Sequence, residues 1–561
     1  MTRFPSWFAS VLSGFLLVAC FPKLSIHPLV WIALLPLLLA LAGESSLRRA
    51  FGWAYLSGAI YFAGGFYWFV EVMRQYGGLS MGLAVTGLAA FVVVFSVFFG
   101  AFGLAVGTLA RKSPAGALLA SPFLWVAMEV ARTYFITGFP WNLLGYGVAS
   151  AGLRQVASVT GVYGLSFLAA ATSALAAWVI LCWRPRLWRK DSEGWGTIGV
   201  WVQSRQARWP SLALACWVAL LLVGNWALAP PAPTQGPDLA VLVQPNVPLD
   251  EQAASAWEPW VNPSKLNQLV DMSLQALAGA ERKEGLRPDG QGRPGLGVPP
   301  LIIWAENPAP FYFTRDPIFR GAVERMARQA SAYVVVNTVI PIDTGRPRIT
   351  NSAVVLDPQG RQILQYDKMH LVPFGEYVPA WAFPDMIGKI TTEAGNFVPG
   401  ASYGVAPTPR GALGVFICYE DIFPQLVRRV TLAGAKVLVN ISNDAWFGRS
   451  SAALQELEMA RLRAIENRRY LLRATNDGIT VMIDPYGRVE KQIARYQTTA
   501  LPVSFSYLGT ETFYTRHGDA FAWLCTALAG AMVLVAALSF LASRGMTGQR
   551  RRKQQPDQEQ P

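Results

Sequence analysis

Charged residues are scarce in this chain, and histidine and cysteine are rarer still. Only 15% of its 561 residues are Asp, Glu, Lys or Arg, three are His and five are Cys. Soluble domains usually carry about 25% charged residues, so the composition argues against an ordinary cytosolic enzyme. The hydrophobic share of 52% argues equally against intrinsic disorder. Heptads, solenoid repeats and a glycine-rich phosphate loop are also missing from the sequence.

Long uncharged apolar stretches are what the chain has instead. A run of about 18 or more such residues is long enough to cross a bilayer as a helix. The sequence predicts eight spans, at 4–22, 24–43, 50–70, 75–110, 113–132, 155–183, 209–237 and 520–543. We therefore expect spans one to seven in 1–237, a polar domain in 238–506, a return segment with the eighth span in 507–543, and a basic tail in 544–561.

Lysine and arginine are unevenly distributed between the two sides of these spans. One side's short loops hold only Lys23, Arg74, Arg132 and Arg154, whereas the other side holds most of the remaining basic loop residues and the tail. Cytoplasmic loops are the ones enriched in Lys and Arg. This predicts a cytoplasmic tail and an exported polar domain. The net charge of +13 is thereby attributed to membrane orientation, and no nucleic-acid partner is expected.

Within 238–506, short apolar runs alternate with amphipathic stretches. Strands are predicted at 239–244, 301–304, 333–337, 352–356, 362–366, 413–417, 437–441 and 479–483, and helices at 264–280, 318–332, 425–433 and 455–466. Strands and helices that alternate in this way predict a layered α/β fold.

Three polar residues follow predicted strands: Glu306, Lys368 and Cys418. Strand ends are where α/β folds build their sites. Cys418 is the only Cys of the exported region, so no intradomain disulfide is expected, and no Cys/His cluster suggests a metal. A lone Cys is more often a small buried apolar residue than a nucleophile, and Glu306 with Lys368 also fits a structural ion pair. Together they fit a thiol, a proton acceptor and an oxyanion-stabilising ammonium.

Short motifs surround these residues: Trp-Ala-Glu at 304–306, Tyr-Asp-Lys-Met-His-Leu at 366–371 and Cys-Tyr-Glu at 418–420. They resemble the Glu, Lys and Cys motifs of the nitrilase superfamily. The segments 370–379 and 440–448 are similar to those of its integral membrane branch, the apolipoprotein N-acyltransferase family. The resemblance spans the chain. It implies an α-helical membrane bundle of eight spans plus an exported α/β nitrilase-like domain, an α-β-β-α sandwich.

The resemblance also implies a reaction. Cys418 would take an acyl chain from a membrane phospholipid as a thioester and pass it to the α-amino group of the diacylglyceryl-cysteine at a lipoprotein's N-terminus. Glu306 would act as general base and acid, and Lys368 would hold the oxyanion. The enzyme would be a multi-pass protein of the bacterial inner membrane with its active site on the periplasmic side.

Supporting roles follow from the same resemblance. Glu376, Asn351, Tyr419 and Glu420 would support the site or contact substrate, while His370 is interpreted as structural. The family's substrate-loop tryptophan corresponds to either Trp257 or Trp260. No metal or dissociable organic cofactor is implied, and a monomer is expected.

Two aromatic segments are predicted on the outer side of the membrane. The stretch 377–397 includes Trp381, Phe383, Met386 and Ile387, and we interpret it as an apolar loop that handles lipid chains at the bilayer surface, the alternative being a loop packed on its own domain. For 138–142, Gly-Phe-Pro-Trp-Asn, interfacial anchoring is favoured over a lining of the lipid entry.

Two rival functions differ in their demands on the sequence. A membrane-tethered nitrilase-type amidase would use the same three residues with water as acceptor, but it would not need eight spans. A transporter with an exported accessory domain would need intramembrane charges or paired broken helices. The predicted spans are nearly free of charge, which disfavours the transporter.

Overall fold

A computed structural model describes the chain except for residues 1–4, 76, 136–137, 184–196, 235, 249–263, 284–298, 308–311, 344–346, 378–396 and 554–561. The helices of the described part are α1 (Ser6–Ala19), α2 (Leu35–Ala42), α3 (Leu47–Gly65), α4 (Trp68–Gln75), α5 (Met81–Ala110), α6 (Pro114–Tyr134), α7 (Ala157–Thr160), α8 (Val162–Trp183), α9 (Thr197–Ala227), α10 (Ser264–Lys283), α11 (Pro317–Ala330), α12 (Pro424–Leu432), α13 (Ala452–Asn467), α14 (Phe513–His517) and α15 (Ala520–Lys553).

Five of the described helices are long and apolar enough to cross a membrane: α5, α6, α8, the Ala207–Ala227 part of α9 and the Ala520–Ser539 part of α15. A sixth span results if α3 and α4, which meet at a bend of 50°, are counted as one. The two predicted spans nearest the N-terminus correspond to shorter apolar helices, Ser6–Ala19 and His27–Ala42. Each predicted span thus overlaps an apolar helix, while the count of eight stays a prediction.

Twelve strands follow in the described part of residues 238–506: β1 (Asp238–Gln244), β2 (Leu301–Trp304), β3 (Tyr333–Asp343), β4 (Pro347–Leu356), β5 (Gln362–Asp367), β6 (Gly404–Thr408), β7 (Gly411–Ile417), β8 (Ala435–Ser442), β9 (Leu471–Thr475), β10 (Val481–Ile483), β11 (Val489–Gln492) and β12 (Thr499–Phe505). They form two six-stranded sheets, ordered β12-β1-β2-β3-β4-β5 and β11-β10-β9-β8-β7-β6. The predicted α/β architecture is confirmed for this region. Strands β6, β9, β11 and β12 were not predicted.

Each sheet has three parallel strands at its centre. In the first, β1, β2 and β3 are parallel, and in the second, β7, β8 and β9 are parallel. Buried parallel strands read as continuous apolar runs, as in the Leu-Ile-Ile-Trp of β2. Because parallel strands end at one edge of a sheet, the residues that follow β2 and β7 are brought to the same side of their sheets.

Alternating side chains of the first sheet belong to two different apolar cores. Leu239, Val241 and Val243 of β1 pack with α10 and α11, whereas Ala240 and Leu242 face the core shared with the second sheet. On the second sheet, α12 contacts β8, and α13 contacts β9. Helix α13 also contacts α7, next to the membrane helices. It therefore connects the sheets with the helical bundle.

Candidate active site

Cys418 stands at the sharp turn that follows β7. Its backbone φ is +50°, in the left-handed region that residues other than glycine rarely adopt. A short 3₁₀ turn, Cys418–Ile422, continues from it. A strained backbone of this kind costs about 1–3 kcal/mol and persists only where its surroundings enforce it. The Cys418 side chain is buried at this turn.

Glu306 and Lys368 meet beside this turn. Glu306 follows β2, and Lys368 follows β5 in the same sheet. The Lys368 Nζ lies 3.8 Å from Glu306 Oε1, and both side chains are almost inaccessible to solvent. The Glu306 carboxylate and the Lys368 ammonium both interact with Cys418. The structure thus brings together the three residues that the sequence predicts as catalytic.

Glu376 and Asn351 hold the charged pair in place. Glu376 Oε1 accepts hydrogen bonds from Lys368 Nζ and from Asn351 Nδ2, each at 2.9 Å. The same Asn351 amide donates to Glu306 Oε1 at 2.8 Å. Asn351 therefore bridges two carboxylates that would otherwise repel each other. The side-chain oxygen of Asn351, Oδ1, accepts a hydrogen bond at 2.7 Å from Asn337 Nδ2. Asn337 lies on β3 and was not among the residues predicted from the sequence.

Burial and charge set the protonation of the three residues. Burial raises the pKa of Glu306, although Lys368 opposes the shift. Burial raises the pKa of the Cys418 thiol well above its ordinary value, and Glu306 adds to this effect while Lys368 opposes it. For Lys368, burial would lower the pKa, but Glu376, Glu306 and Cys418 together raise it. These shifts favour a protonated thiol beside a charged ammonium in the resting site.

Glu420 ties the nucleophile's turn to the lysine segment. Its Oε1 accepts from the backbone N–H of Met369 at 2.7 Å and of His370 at 3.1 Å, and its Oε2 accepts from the N–H of Ile417 at 2.8 Å. The Tyr366 hydroxyl donates to the same carboxylate at 2.8 Å. With four donors on its carboxylate, Glu420 holds the two segments together.

Tyr419 turns toward the helical bundle. Its ring stacks on that of Trp141, with centroids 6.4 Å apart, and meets Phe423 edge-on at 5.1 Å. Trp141 is 1% exposed, and its Nε1 donates to Gln455 Oε1 of α13 at 2.8 Å. The favoured interpretation of 138–142 as interfacial anchoring is therefore wrong for Trp141, because catalytic-domain side chains cover it.

Buried polar side chains of the bundle hold the segment around Trp141. Arg132 of α6 donates to the Trp141 carbonyl at 3.1 Å, and Glu129 of the same helix accepts from the Leu144 N–H at 2.7 Å. The preceding Gly138 has φ +75°, and a Cβ there would lie 2.1 Å from the Thr133 carbonyl oxygen. Only glycine fits this approach. The bundle thus presents Trp141 to the site in a fixed position.

Gln455 joins this segment to two further parts of the bundle. Its Nε2 donates to the carbonyl of Pro22, which follows α1, at 3.0 Å and to that of Gly65, at the bend after α3, at 3.2 Å. One buried amide of α13 therefore contacts three separate membrane segments. Sequence reasoning missed Gln455 because a glutamine within a predicted helix gives no signal of such partners.

Other predicted residues have plainer outcomes. His370 packs its ring on Phe423, with centroids 4.3 Å apart, and burial lowers its pKa, in keeping with a structural role. Trp257 and Trp260 lie outside the described residues. So do Trp381, Phe383, Met386 and Ile387 of the predicted apolar loop.

Two family models match the chain. The Apolipoprotein N-acyltransferase N-terminal domain matches residues 13–175, and Carbon-nitrogen hydrolase matches residues 299–503. The apolipoprotein N-acyltransferase of Geobacter metallireducens is 35% identical over 537 residues, covering 95% of this chain and 94% of the relative. That of Azotobacter vinelandii is 30% identical over 553 residues, with 96% of each chain covered.

This chain belongs to the apolipoprotein N-acyltransferase family.

The two family models cover different parts of the site. The Carbon-nitrogen hydrolase match contains Glu306, Lys368 and Cys418, and the N-terminal match contains Trp141. Among solved structures, an amidase from Nesterenkonia covers 52% of this chain and 97% of its own, with 18% identity and a TM-score of 0.34. Nit3 of Saccharomyces cerevisiae covers 49% of this chain, with 18% identity and a TM-score of 0.33.

Proposed function

We propose that this chain transfers an acyl chain from a membrane phospholipid, through a thioester on Cys418, to the α-amino group of a lipoprotein's N-terminal diacylglyceryl-cysteine. The observation that carries the proposal is the contact of the buried Glu306–Lys368–Cys418 site with the helical bundle through Tyr419 and Trp141. A site that acts on small soluble amides does not need contact with a membrane helical bundle. A site that receives lipid from a bilayer requires it.

In the first half-reaction, Glu306 accepts the thiol proton as Cys418 Sγ attacks the carbonyl carbon of the acyl ester. The raised pKa of Glu306 makes its carboxylate a stronger base than an ordinary glutamate, which favours this transfer. Lys368 stabilises the tetrahedral oxyanion. The ester C–O bond then breaks, and the departing lysophospholipid oxygen takes the proton from Glu306. Acyl-thioester enzyme and free lysophospholipid result.

In the second half-reaction, the lipoprotein amine attacks the thioester carbonyl. Glu306 accepts a proton from the attacking nitrogen, and Lys368 again stabilises the oxyanion. The C–S bond breaks, the thiolate regains a proton from Glu306, and an amide is formed. Because water would compete with the amine for the thioester, the burial of Cys418 favours transfer over hydrolysis.

The finer architecture is part of the same proposal. We infer eight spans, a four-layer α-β-β-α arrangement of the exported domain 238–506, and a cytoplasmic tail 544–561. The distribution of Lys and Arg over the short loops supports an inner-membrane protein with its site on the periplasmic side. The packing of α10 and α11 outside one sheet, and of α12 and α13 on the other, supports the four layers. We propose that a single chain is sufficient for activity.

Intact mass spectrometry of the purified full-length protein tests the function. After incubation with phospholipid and no acceptor, we expect the mass of one acyl chain on Cys418, released when a diacylated lipopeptide is added. A Cys418→Ser variant controls for non-covalent lipid. Absence of an adduct from folded protein, together with ammonia release from small amides, would overturn the proposal in favour of a tethered amidase.

A further inference from the structure

A buried arginine lies behind the nucleophile, in a network that the proposed chemistry does not use. The guanidinium of Arg473, in β9, contacts three carboxylates: Asp421 at 2.8 Å, Asp444 at 2.9 Å and Glu456 at 2.7 Å. All four residues are fully buried. Three of them come from different elements that approach the turn at Cys418, namely β9, the segment after β8, and α13, and Asp421 belongs to that turn itself.

Two polar side chains connect this arginine to Cys418. Asn440 accepts a hydrogen bond from Arg473 Nη1, and its own amide donates to the backbone oxygen of Cys418 at 3.4 Å. Ser442 Oγ accepts from Arg473 Nη2 at 3.3 Å, donates to Asp444 at 2.9 Å, and lies within hydrogen-bonding reach of the Cys418 thiol. Arg473 thereby supports both the backbone and the side chain of the nucleophile.

The network has more carboxylates than cations. One guanidinium faces three carboxyl groups. Arg473 binds Asp421 Oδ2 and Glu456 Oε2, while the second oxygens of these carboxylates, Asp421 Oδ1 and Glu456 Oε1, have no hydrogen-bond donor among the described residues. The side chains of Asp421 and Glu456 both contact Arg473 and lie close enough to each other for a hydrogen bond if one of them carries a proton. Two ionised carboxylates cannot form such a bond, because neither carries a hydrogen. A single shared proton supplies the bond and removes one negative charge.

We infer that Arg473 is a positioning residue for Cys418, and that a proton shared between Asp421 and Glu456 sets the charge beneath the nucleophile and so its readiness to ionise. This inference rests on the proposed role of Cys418. It assigns the Asp421–Glu456 pair a tuning role in the reaction.

The sign of the effect follows from the charges around the pair. Beyond Arg473 and Asp444, Arg463 faces Asp421 and Asp477 faces Asp444, while Glu306 and Lys368 face Cys418 from the other sheet. Burial, only partly offset by Arg473, raises the pKa of Asp421 to about 7, and burial raises that of Glu456 well above its ordinary value. When pH rises and the proton leaves, a further negative charge opposes formation of the Cys418 thiolate.

Alkylation of Cys418 by iodoacetamide across pH, located by peptide mass mapping of the full-length protein in detergent, tests the pair. The variants are Asp421→Asn and Glu456→Gln, each of which removes the titratable charge but keeps a donor. Glu458→Gln is the matched control, because Glu458 lies on the same helix and pairs instead with Arg154 and Arg461. We expect both network variants to alkylate about 10-fold faster than the parent protein at mildly alkaline pH, as a thiol pKa lowered by about one unit would give. The control should follow the parent.

Coinciding pH profiles for the parent protein and both network variants would overturn the inference. If the variants do not fold, infrared spectroscopy of a Glu306→Gln, Glu466→Gln double variant tests the shared proton, because burial also raises the pKa of Glu466 to about 7 and its band would otherwise overlap. A protonated-carboxyl band at neutral pH that disappears at alkaline pH supports it, and absence of that band refutes it. Neither measurement uses a lipid or a lipoprotein, so failure of the proposed acyl transfer leaves its result interpretable.

Discussion

At the scale of single residues, the site contains charged side chains that hold other site residues in position and take no part in the proposed bond-forming steps. Glu376 is the clearest of these, because its carboxylate binds Lys368, Asn351 and the backbone N–H of Val372 at once. Each partner donates a hydrogen bond. The residue therefore acts as a common acceptor for the lysine and for the amide that orients Glu306.

Replacement of Glu376 by Gln tests this role. The new amide group would place a donor against one of three existing donors and would remove half of the negative charge around Lys368. Hydrogen bonds to charged groups contribute about 1.5–3 kcal/mol, so we expect the acylation rate to fall roughly 10- to 100-fold. The rate is measured by single-turnover mass spectrometry. Glu324→Gln, at a partly exposed position of α11, is the control, and an unchanged rate in Glu376→Gln would contradict the assignment.

The proton acceptor makes a separate prediction about pH. Glu306 must be ionised to accept the thiol proton, and its pKa is raised by burial. As pH falls, the base is therefore lost at a higher pH than an ordinary glutamate would show. We expect the acid limb of the acylation rate to be displaced upward accordingly. Circular dichroism at each pH controls for unfolding, and an acid limb at the usual glutamate pKa would refute the role.

At the scale of elements, helix α13 contacts both the helical bundle and the residues behind Cys418. Its Gln455 contacts the membrane segments, and the adjacent Glu456 contacts Arg473 behind the nucleophile. A displacement of the bundle relative to the sheets therefore changes the surroundings of Tyr419 and of Cys418 together. The helix is placed where two packed bodies meet, not at the periphery of either.

Substitution of Gln455 by Leu should weaken the contact between helix α13 and the helical bundle. It removes the acceptor of the Trp141 indole N–H and the donor to two backbone carbonyls, and each buried polar group left unpaired costs about 1–3 kcal/mol. We expect a lower melting temperature in detergent and acylation slowed at least about 10-fold. Gln492→Leu, at an exposed position of β11, is the control. A variant that melts and acylates like the parent protein would show that the contacts are dispensable.

At the scale of the whole molecule, the proposal requires the sheets and the basic loops to lie on opposite sides of the membrane. Charge bias in the short loops supports this arrangement, while the five helices that meet the length and hydropathy requirement do not by themselves set a direction. Orientation is therefore a property to be measured on intact cells.

Cysteine labelling with a membrane-impermeant reagent measures it. In a background without the native cysteines, Gln492→Cys on the exported domain should be labelled in cells with a permeabilised outer membrane. Arg208→Cys, at the start of the apolar Ala207–Ala227 stretch, should be labelled only after lysis. Both positions are exposed, so accessibility of the side chain does not distinguish them. The reverse pattern would invert the proposed topology.

Sequence alone was sufficient for the apolar stretches, the α/β character of residues 238–506 and the three strand-end residues Glu306, Lys368 and Cys418. These depend on local signals, namely run length, alternation and short motifs, which are present in consecutive residues. The sequence did not reveal β9 as a strand, because its central Arg473 is a charge that only becomes tolerable when partners distant in the chain surround it.

Tertiary structure alone decided what surrounds those three residues. Trp141 and Gln455 are more than 300 positions apart, and so are Arg154 and Glu458, yet each pair is in direct contact. Asn337 and Asn351 meet because β3 and β4 are paired, and the segment after β5 brings Glu376 to Asn351. Local sequence cannot specify such contacts, since each depends on how elements distant in the chain pack against one another. The sequence was therefore sufficient to single out Glu306, Lys368 and Cys418 as candidates, while packing set the burial of these residues, their hydrogen-bond partners and their contact with the bundle.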